Sequence, residues 1–226
     1  MPSRLNEQTS SWTPRQLARR VLAKTLPRRS FLVEGPKHSN QVFLTFDDGP
    51  HPVHTPRLLE VLRQHDVRAT FFVLGAQVYK HPDIVQEIVA DGHSIGHHTF
   101  HHGEPSSVSA EVLMRELQET ERLLKALMNN RTRMFRPPHG KLSAGKLWKL
   151  IRGGYQTVLW NLDPKDYRCQ TQEELDDWFQ THPVAAGDIV LLHDVHPFAA
   201  EALPRMIKEA RSRGLEFSSL EGALNW

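Results

Sequence analysis

The sequence predicts an α/β fold with mostly parallel strands and with helices packed outside them. Short apolar runs alternate with helical patterns from Gln41 onward, as in chains of βα units. The chain has 226 residues, of which 39% are hydrophobic and 24% charged, the composition of an ordinary globular domain. Its unusual polar clusters directly follow apolar runs that are predicted to be strands. In α/β folds the binding and catalytic sites lie at the carboxyl ends of the parallel strands. One large domain is therefore expected.

Strands are predicted where apolar runs are short, and helices where apolar residues recur every three or four positions. The predicted strands are 41–46, 69–75, 93–98, 132–135, 155–160, 188–193 and 215–220. The predicted helices are 56–64, 82–90, 109–128, 147–152, 173–181 and 200–213. About seven parallel strands in this order fit an open doubly wound sheet as well as a closed barrel.

The charge distribution separates a basic leader, residues 1–39, from the body of the chain, residues 40–226. The first 40 residues carry eight Lys and Arg against two Asp and Glu, whereas the remainder carries twenty against twenty-four. Because the body is net acidic, we expect no nucleic-acid partner. The oligomeric state stays open.

A short amphipathic helix is predicted within residues 11–29 of the leader. Pro14 suits a first helical turn, and Leu17, Val21 and Leu22 form an apolar stripe opposite arginines. Such a helix packs on the domain, or it contacts a partner or an anionic membrane surface. All three readings stay open on the sequence.

The cysteine count and the hydropathy exclude a disulfide-held scaffold and a membrane-spanning protein. Cys169 is the only cysteine, which excludes a scaffold held by intrachain disulfides. No apolar run approaches the roughly 18 residues of a membrane span, and the N-terminus lacks the apolar core of a signal peptide. We therefore expect a protein that is cytoplasmic or peripheral at the inner face of the membrane.

Two adjacent carboxylates, Asp47 and Asp48, follow the first predicted strand and precede a Gly-Pro turn. Because adjacent side chains point in different directions, one aspartate can face a cation while the other accepts a proton. A turn-forming Asp-Gly pair would explain Asp48 and Gly49 but not Asp47.

Histidine is over-represented, with 14 in the chain and five within residues 93–102. His98 and His102 are four residues apart, and so are His97 and His101, a spacing that would place either pair on one side of a helical turn. The spacing alone does not choose between the pairs. Two imidazoles with one aspartate leave coordination positions open, which is typical of a catalytic metal site.

Five segments occur in the order and approximate spacing of the five motifs of the polysaccharide deacetylase family, the NodB-homology or carbohydrate esterase family 4 domains. They are TFDDGP, HTFHH, RPPHG, DPKDY and LLH. The resemblance covers residues 40–226. It implies a distorted (β/α) barrel of about seven parallel strands and a divalent metal ion, commonly zinc, with cobalt, nickel or manganese as alternatives.

The activity that this resemblance implies is removal of an N-acetyl, or alternatively an O-acetyl, group from a carbohydrate. Chitin-like oligosaccharides, peptidoglycan, exopolysaccharides and lipid-linked sugars are the candidate substrates. By position in the motifs, Asp48, His98 and His102 match the metal ligands. Asp47 matches the general base that takes a proton from water, and His193 matches the general acid.

The remaining motif positions are expected to orient these groups and to line the substrate groove. Arg136 matches the arginine that orients the base, and Asp166 matches the aspartate that orients the acid. Leu191 lies two residues before His193, so both share one strand face and the leucine can meet the acetyl methyl group. The residues expected to contact substrate are Pro138, His139, Tyr167 and Leu191.

The chain departs from the family pattern at two groove positions. His139 stands where the third motif usually has an aromatic residue, and Tyr167 stands where the fourth usually has Trp. The resemblance implies that the backbone N–H of His139 donates to the oxyanion, a role that survives replacement of the side chain. These departures bear on substrate choice more than on chemistry.

Three other functions compete with deacetylation. An amidohydrolase acting on a small non-sugar amide would share this barrel. A non-catalytic metal-binding or glycan-binding module would be expected to lack Asp47 or His193, and both are present. Phosphoryl transfer through an aspartate would need a second aspartate two residues after the first and a phosphate-binding glycine loop, and neither occurs.

Overall fold

The computed structural model describes residues 14–104, 107–128 and 131–223, and within them eight strands pair in parallel throughout. The strands are β1 (Phe31–Leu32), β2 (Gln41–Asp47), β3 (Thr70–Val73), β4 (Ser94–His97), β5 (Met134–Phe135), β6 (Gln156–Val158), β7 (Ile189–His193) and β8 (Glu216–Phe217). Their spatial order is β1-β6-β5-β4-β3-β2-β7, and β8 pairs with the start of β2. The predicted parallel sheet is confirmed.

The sheet curls into a distorted barrel that closes through irregular backbone. Leu162, downstream of β6, forms an isolated parallel bridge with Val190 of β7. The N–H of Leu191 donates to the carbonyl of Leu162 at 2.9 Å. Closure by a bridge instead of a regular ladder explains why the alternation of strands and helices alone fits an open sheet equally well.

Nine α-helices lie within the described residues. They are α1 (Pro14–Thr25), α2 (His54–Gln64), α3 (Gly75–Lys80), α4 (Pro82–Ala90), α5 (Ala110–Leu127), α6 (Ala144–Arg152), α7 (Gln172–Thr181), α8 (Phe198–Ser212) and α9 (Leu220–Ala223). The six helices predicted for the body are confirmed. Helix α3 was not predicted, because its six residues follow β3 after a single residue, Leu74, and are too few to show a helical period.

The last predicted strand, 215–220, is too long. Only β8 pairs with β2, and Leu220 already begins α9. Leu220 is buried among side chains of the barrel interior. An apolar run at the end of a strand and an apolar residue at the start of a buried helix look alike in sequence.

The residues of strand β2 alternate between the outer core and the barrel interior, and the strand ends at the edge of the barrel where the carboxyl ends of the strands lie. Val42, Leu44 and Phe46 face outward and pack in the large cluster that includes residues of α2, α4 and α8. The alternate residues face inward, and Phe43 packs in the interior cluster of the barrel. Thr45 and Asp47 continue this inward row toward the carboxyl end of the strand, where parallel strands expose their ends together.

Helix α1 packs against the body through one face. Leu22 and Leu26 contact the cluster formed by Phe31, Leu147 and Leu159. The residues of the predicted helix before Pro14 lie outside the described residues. Strand β1 pairs with β6 in the main sheet, and the division into residues 1–39 and 40–226 stays a prediction.

The helices of the described residues are short or amphipathic. None of those residues forms a helix with both the length and the apolar character needed to span a bilayer.

Candidate active site

Asp47 ends β2, and its carboxylate is bound by a fully buried arginine. Arg136 follows β5, and its Nη1 donates to Oδ1 of Asp47 and to Oγ1 of Thr45, both at 2.7 Å. Its Nε and Nη2 donate to the carbonyls of Val158 and Leu159 at 3.3 and 3.1 Å. Burial lowers the pKa of Arg136, and the charge of Asp47 opposes that effect. The guanidinium remains a cation and orients the aspartate.

The second oxygen of Asp47 is turned toward a group of three potential metal ligands. Oδ2 of Asp47 lies 3.7 Å from Nε2 of His98. Oδ1 of Asp48 lies 3.3 Å from Nε2 of His98 and 3.4 Å from Nε2 of His102. Suitable ligand atoms of these three residues all lie within 4.8 Å of one another. One carboxylate and two imidazoles therefore face a common point beside Asp47.

The donor chemistry of this triad fits a divalent cation. Nδ1–H of His98 donates to the carbonyl of Arg136 at 2.8 Å, which leaves the lone pair of Nε2 directed at the common point. Oδ1 of Asp48 is buried and accepts no hydrogen bond from any residue that the structure describes. Burial raises the pKa of Asp48, but the neighbouring imidazoles of His98 and His102 lower it well below its usual range. The carboxylate is thus ionised and ready to bind a metal ion.

The segment from His98 to His102 is a loop and not the helical turn that the spacing of four suggests. Thr99 and His102 have φ angles of 71° and 57°. Oγ1 of Thr99 accepts a hydrogen bond from the N–H of His102 at 3.0 Å. Glu116 of α5 accepts another from the N–H of Phe100 at 3.0 Å. The helical interpretation is wrong, because left-handed residues and a distant carboxylate shape this loop.

On the opposite side, His193 ends β7 and is held by Asp166. Nδ1–H of His193 donates to Oδ1 of Asp166 at 2.7 Å, and its backbone N–H donates to Oδ2 at 2.7 Å. Burial lowers the pKa of His193, but the hydrogen bond and charge of Asp166, with the charges of Asp47 and Asp48, raise it to about 9. The imidazole is therefore a cation at neutral pH and can act as a proton donor.

The register of the sheet brings the two sides together. Asp47 and His193 are directly paired positions of the parallel strands β2 and β7. Neighbouring strands lie about 4.8 Å apart, so a small acyl group between these side chains can meet both. The edge of the barrel thus presents the side chain of Asp47, a candidate metal triad and a protonated histidine.

Comparison with known proteins identifies the family. The model of the polysaccharide deacetylase family matches residues 34–158, more than half of the chain. The chain belongs to the polysaccharide deacetylase family. It is 32% identical over 212 residues to a peptidoglycan-N-acetylglucosamine deacetylase of Bacillus cereus, covering 91% of this chain and 99% of that protein.

Two further relatives extend this likeness. The deacetylase chain is 34% identical over 205 residues to a chitooligosaccharide deacetylase of Rhizobium leguminosarum bv. trifolii, covering 88% of this chain and 92% of that protein. A crystal structure of a peptidoglycan N-acetylglucosamine deacetylase with 4-naphthalen-1-yl-N-oxidanyl-benzamide superposes with a TM-score of 0.83 at 28% identity. It covers 94% of this chain and 97% of that one. The distorted barrel predicted from the motifs agrees with these neighbours.

The residues predicted to line the groove of this deacetylase lie around the same edge. Pro138 is buried, whereas the side chain of His139 is half-exposed and packs its ring edgewise against His102 with centroids 4.9 Å apart. Tyr167 is 45% exposed and meets the ring of His193 edgewise at 5.3 Å. Leu191 is 4% exposed, so it presents little surface to a ligand. Their roles toward substrate stay proposals.

The other histidines of the cluster lie away from this point. His97 is buried, and its Nε2 lies 2.9 Å from Oε2 of Glu121 on α5. The His101 side chain is 65% exposed and lies beside Glu116. Asp163 behaves as a turn residue, since it accepts a hydrogen bond from the N–H of Lys165 at 3.0 Å.

Sequence reasoning missed four residues that shape the site. Thr45 could have been found, because it lies two residues before Asp47 on the same strand face. Phe72, whose ring lies 4.1 Å under the guanidinium of Arg136, carries no signal distinct from core packing. Glu116 and the buried Asp194 act through contacts between distant segments, which a single sequence does not reveal.

Arg136→Met is expected to lower the free energy of unfolding of the metal-free protein by about 3–5 kcal/mol, because the buried charge of Asp47 loses its partner. Adding Asp47→Asn should restore part of that loss, since the unpaired charge is then absent. Urea unfolding of both single variants and the double variant at neutral pH, with a chelator present, measures this coupling. Losses that simply add would contradict the pairing.

Proposed function

We propose that this chain is a metal-dependent deacetylase that hydrolyses the N-acetyl group of a carbohydrate such as peptidoglycan or a chitin-like oligosaccharide. The observation that carries the proposal is the convergence of Asp47, the Asp48–His98–His102 triad and His193 at one barrel edge. The relatives described above are deacetylases of these substrates. A small non-sugar amide and a non-catalytic binding role are not favoured.

In the proposed reaction, Asp48, His98 and His102 would hold a divalent cation. Such a cation would supply Lewis-acid polarisation of the acetyl carbonyl and a lowered pKa for the attacking water. Oδ2 of Asp47 then accepts a proton from the attacking water, while Arg136 holds the other carboxylate oxygen.

The second half of the reaction depends on His193. Its Nε2 donates a proton to the departing nitrogen, which must be protonated to leave as an amine. Asp166 keeps the imidazole oriented and charged. A histidine that stays protonated above neutral pH suits an amine leaving group, and we therefore propose N-acetyl rather than O-acetyl substrates.

The groove residues are proposed to position the sugar and the acetyl group. The backbone N–H of His139 would donate to the oxyanion, and the half-exposed ring of Tyr167 offers a face on which a sugar can stack. Pro138 and the small exposed part of Leu191 would line the position of the acetyl methyl group.

We propose zinc as the native metal, with cobalt, nickel and manganese as alternatives. Two neutral imidazoles and one carboxylate form a set that zinc favours in catalytic sites, where further positions remain open for water and substrate. The order of affinities among divalent metals does not by itself decide between these ions. The same donor set therefore accepts more than one of them.

We also propose that helix α1 contacts an anionic membrane surface. The helix has no acidic residue, and its outer face exposes Leu17 and Val21, 56% and 51% accessible, beside Arg20 and Lys24. A bilayer of anionic lipid would pair with the basic side chains and bury the two apolar ones. A location peripheral to the inner face of the membrane is part of this proposal.

The wild-type protein is expected to hold about one divalent ion and to release acetate from N-acetylated chitooligosaccharides or peptidoglycan fragments. Asp47→Asn should keep the metal ion but lose most turnover, because the base is neutralised. Asp48→Ala should lose the metal ion. Metal analysis and an acetate assay, with acetylxylan testing O-acetyl groups, measure these outcomes. Full turnover in Asp47→Asn would refute the assigned base.

The fall of kcat at alkaline pH, the alkaline limb of the pH profile, should follow the deprotonation of His193. Its raised pKa keeps the acid protonated until about pH 9. Asp166→Asn removes the charge that raises this pKa, so activity should be lost at a pH lower by about one to two units. Tyr167→Phe, which keeps the ring beside His193, is the matched control and should leave the limb in place. An unmoved limb in Asp166→Asn would be inconsistent with the assigned acid.

Vesicle binding tests the proposed role of α1. The wild-type chain should sediment with phosphatidylglycerol vesicles and much less with phosphatidylcholine vesicles, and Arg20→Glu with Lys24→Glu should abolish that binding. Tyr79→Ser, which removes a 73% exposed side chain from another surface, is the control and should bind normally. Equal binding to both lipids, or binding that survives the charge reversal, argues against this surface.

A further inference from the structure

A buried carboxyl group directly follows His193 and has no role in the reaction described above. Asp194 is 1% exposed. Its Oδ2 accepts a hydrogen bond of 2.5 Å from Oγ1 of Thr55, on the first turn of α2. Its Oδ1 has no hydrogen-bond partner within the part of the chain that the structure describes. A buried, half-satisfied carboxyl destabilises a fold, so its presence calls for a functional explanation.

Asp194 lies directly against the turn that carries the base and one of the metal ligands. A Cβ atom placed on Gly49 would lie 2.1 and 2.3 Å from the two carboxyl oxygens of Asp194. Only glycine therefore allows the backbone of this turn to approach the carboxyl so closely. The contact joins the end of β7 to the residue that follows Asp47 and Asp48.

The same carboxyl reaches the turn a second time through Thr55. Oγ1 of Thr55 donates to Asp194 and accepts a hydrogen bond of 2.7 Å from the N–H of His51. The N–H of Thr55 donates to the carbonyl of His51. On the other side of the turn, the N–H of Leu74 donates to the carbonyl of Gly49 at 3.0 Å. The segment from Asp48 to His51 is thus contacted by Thr55 of α2 and by the residues that directly follow β3 and β7.

The backbone of Asp48 makes such support necessary. Its φ angle is 78°, in the left-handed region that residues other than glycine seldom adopt. A strained residue keeps this conformation only where its surroundings hold it. Without the carboxyl under Gly49, the turn could relax and carry Oδ1 of Asp48 away from the imidazoles of His98 and His102.

We propose that Asp194 is a positioning residue that holds the Asp48–Gly49 turn in the geometry required for metal binding and proton abstraction, through its contact with Gly49 and through Thr55. This inference rests on the proposed function of the site. Because Asp194 also follows His193 in the chain, one strand end then places the acid and supports the turn that bears the base.

The test compares zinc affinity, kcat, KM and thermal stability in substituted proteins. Asp194→Ala should weaken zinc binding by about tenfold or more, the usual effect of losing a residue that orients a metal ligand. Its kcat should fall with little change in KM. Asp194→Asn keeps the shape and an acceptor for Thr55, and should stay within about threefold of the wild type for zinc affinity. Zinc dissociation constants come from competition with a chromophoric chelator.

Asp188 provides a matched control at the opposite end of β7. It directly precedes β7, is buried, and accepts hydrogen bonds of 2.7 Å from Asn161 and from the N–H of Ala185. It lies roughly 16 Å from His193 along the strand, at about 3.3 Å per residue. Asp188→Ala should therefore lower the melting temperature while leaving zinc affinity and kcat unchanged.

Zinc affinity and kcat at wild-type levels in folded Asp194→Ala, with only the melting temperature lowered as in Asp188→Ala, would overturn this inference and leave the proposed function intact. If Asp194→Ala does not fold, Thr55→Val decides. It removes the hydroxyl that links Asp194 to His51, and should weaken zinc binding by about threefold. Wild-type zinc binding in Thr55→Val then overturns the inference. A wild-type protein that binds none of zinc, cobalt, nickel and manganese would overturn the proposed function as well.

Discussion

One buried residue, Arg136, organises the side of the site that holds Asp47 and His98. Arg136 donates to the carboxylate of Asp47 and to the carbonyls of Val158 and Leu159 at the end of β6, and its own carbonyl accepts Nδ1–H of His98. A single residue after the short strand β5 thus orients both the candidate base and one candidate metal ligand. A buried charge is costly unless it is paired and hydrogen-bonded within the protein. The fold is therefore stable only when the surrounding strands place these partners around Arg136.

The parallel barrel converts this local pairing into a site with two sides. Asp47 and His193 are paired neighbours of β2 and β7, and each is backed by a group of opposite charge, Arg136 on one side and Asp166 on the other. Each counter-charge binds the atom that faces away from the substrate groove. Oδ2 of Asp47 and Nε2 of His193 are thereby left free for the proton transfers of the proposed reaction, which run in opposite directions.

The sequence predicts features that depend on interactions between neighbouring residues, and it does not predict features that depend on contacts between distant segments. Helix and strand positions depend on local periodicity, and the six body helices and the parallel order were predictable for that reason. The choice between the pairs His98–His102 and His97–His101 was not, because both pairs have the same spacing. In the structure it depends on the strand pleat, which turns His97 toward Glu121, and on a loop with two left-handed residues. Only the order of the family motifs carries that choice in the sequence.

The interactions that sequence does not reveal are those that set the precision of the site. Glu116 shapes the loop between the two candidate histidine ligands, and Asp194 lies directly against Gly49 in the turn of Asp48. Both are acidic residues held against backbone, and neither faces the common point of the metal triad. A metal ligand on a strained loop keeps its position only where neighbouring side chains hold the loop in that conformation. In the proposed mechanism, this edge of the barrel therefore depends on two supporting carboxyls, the buried Asp194 and the partly buried Glu116, as much as on the residues of the motifs.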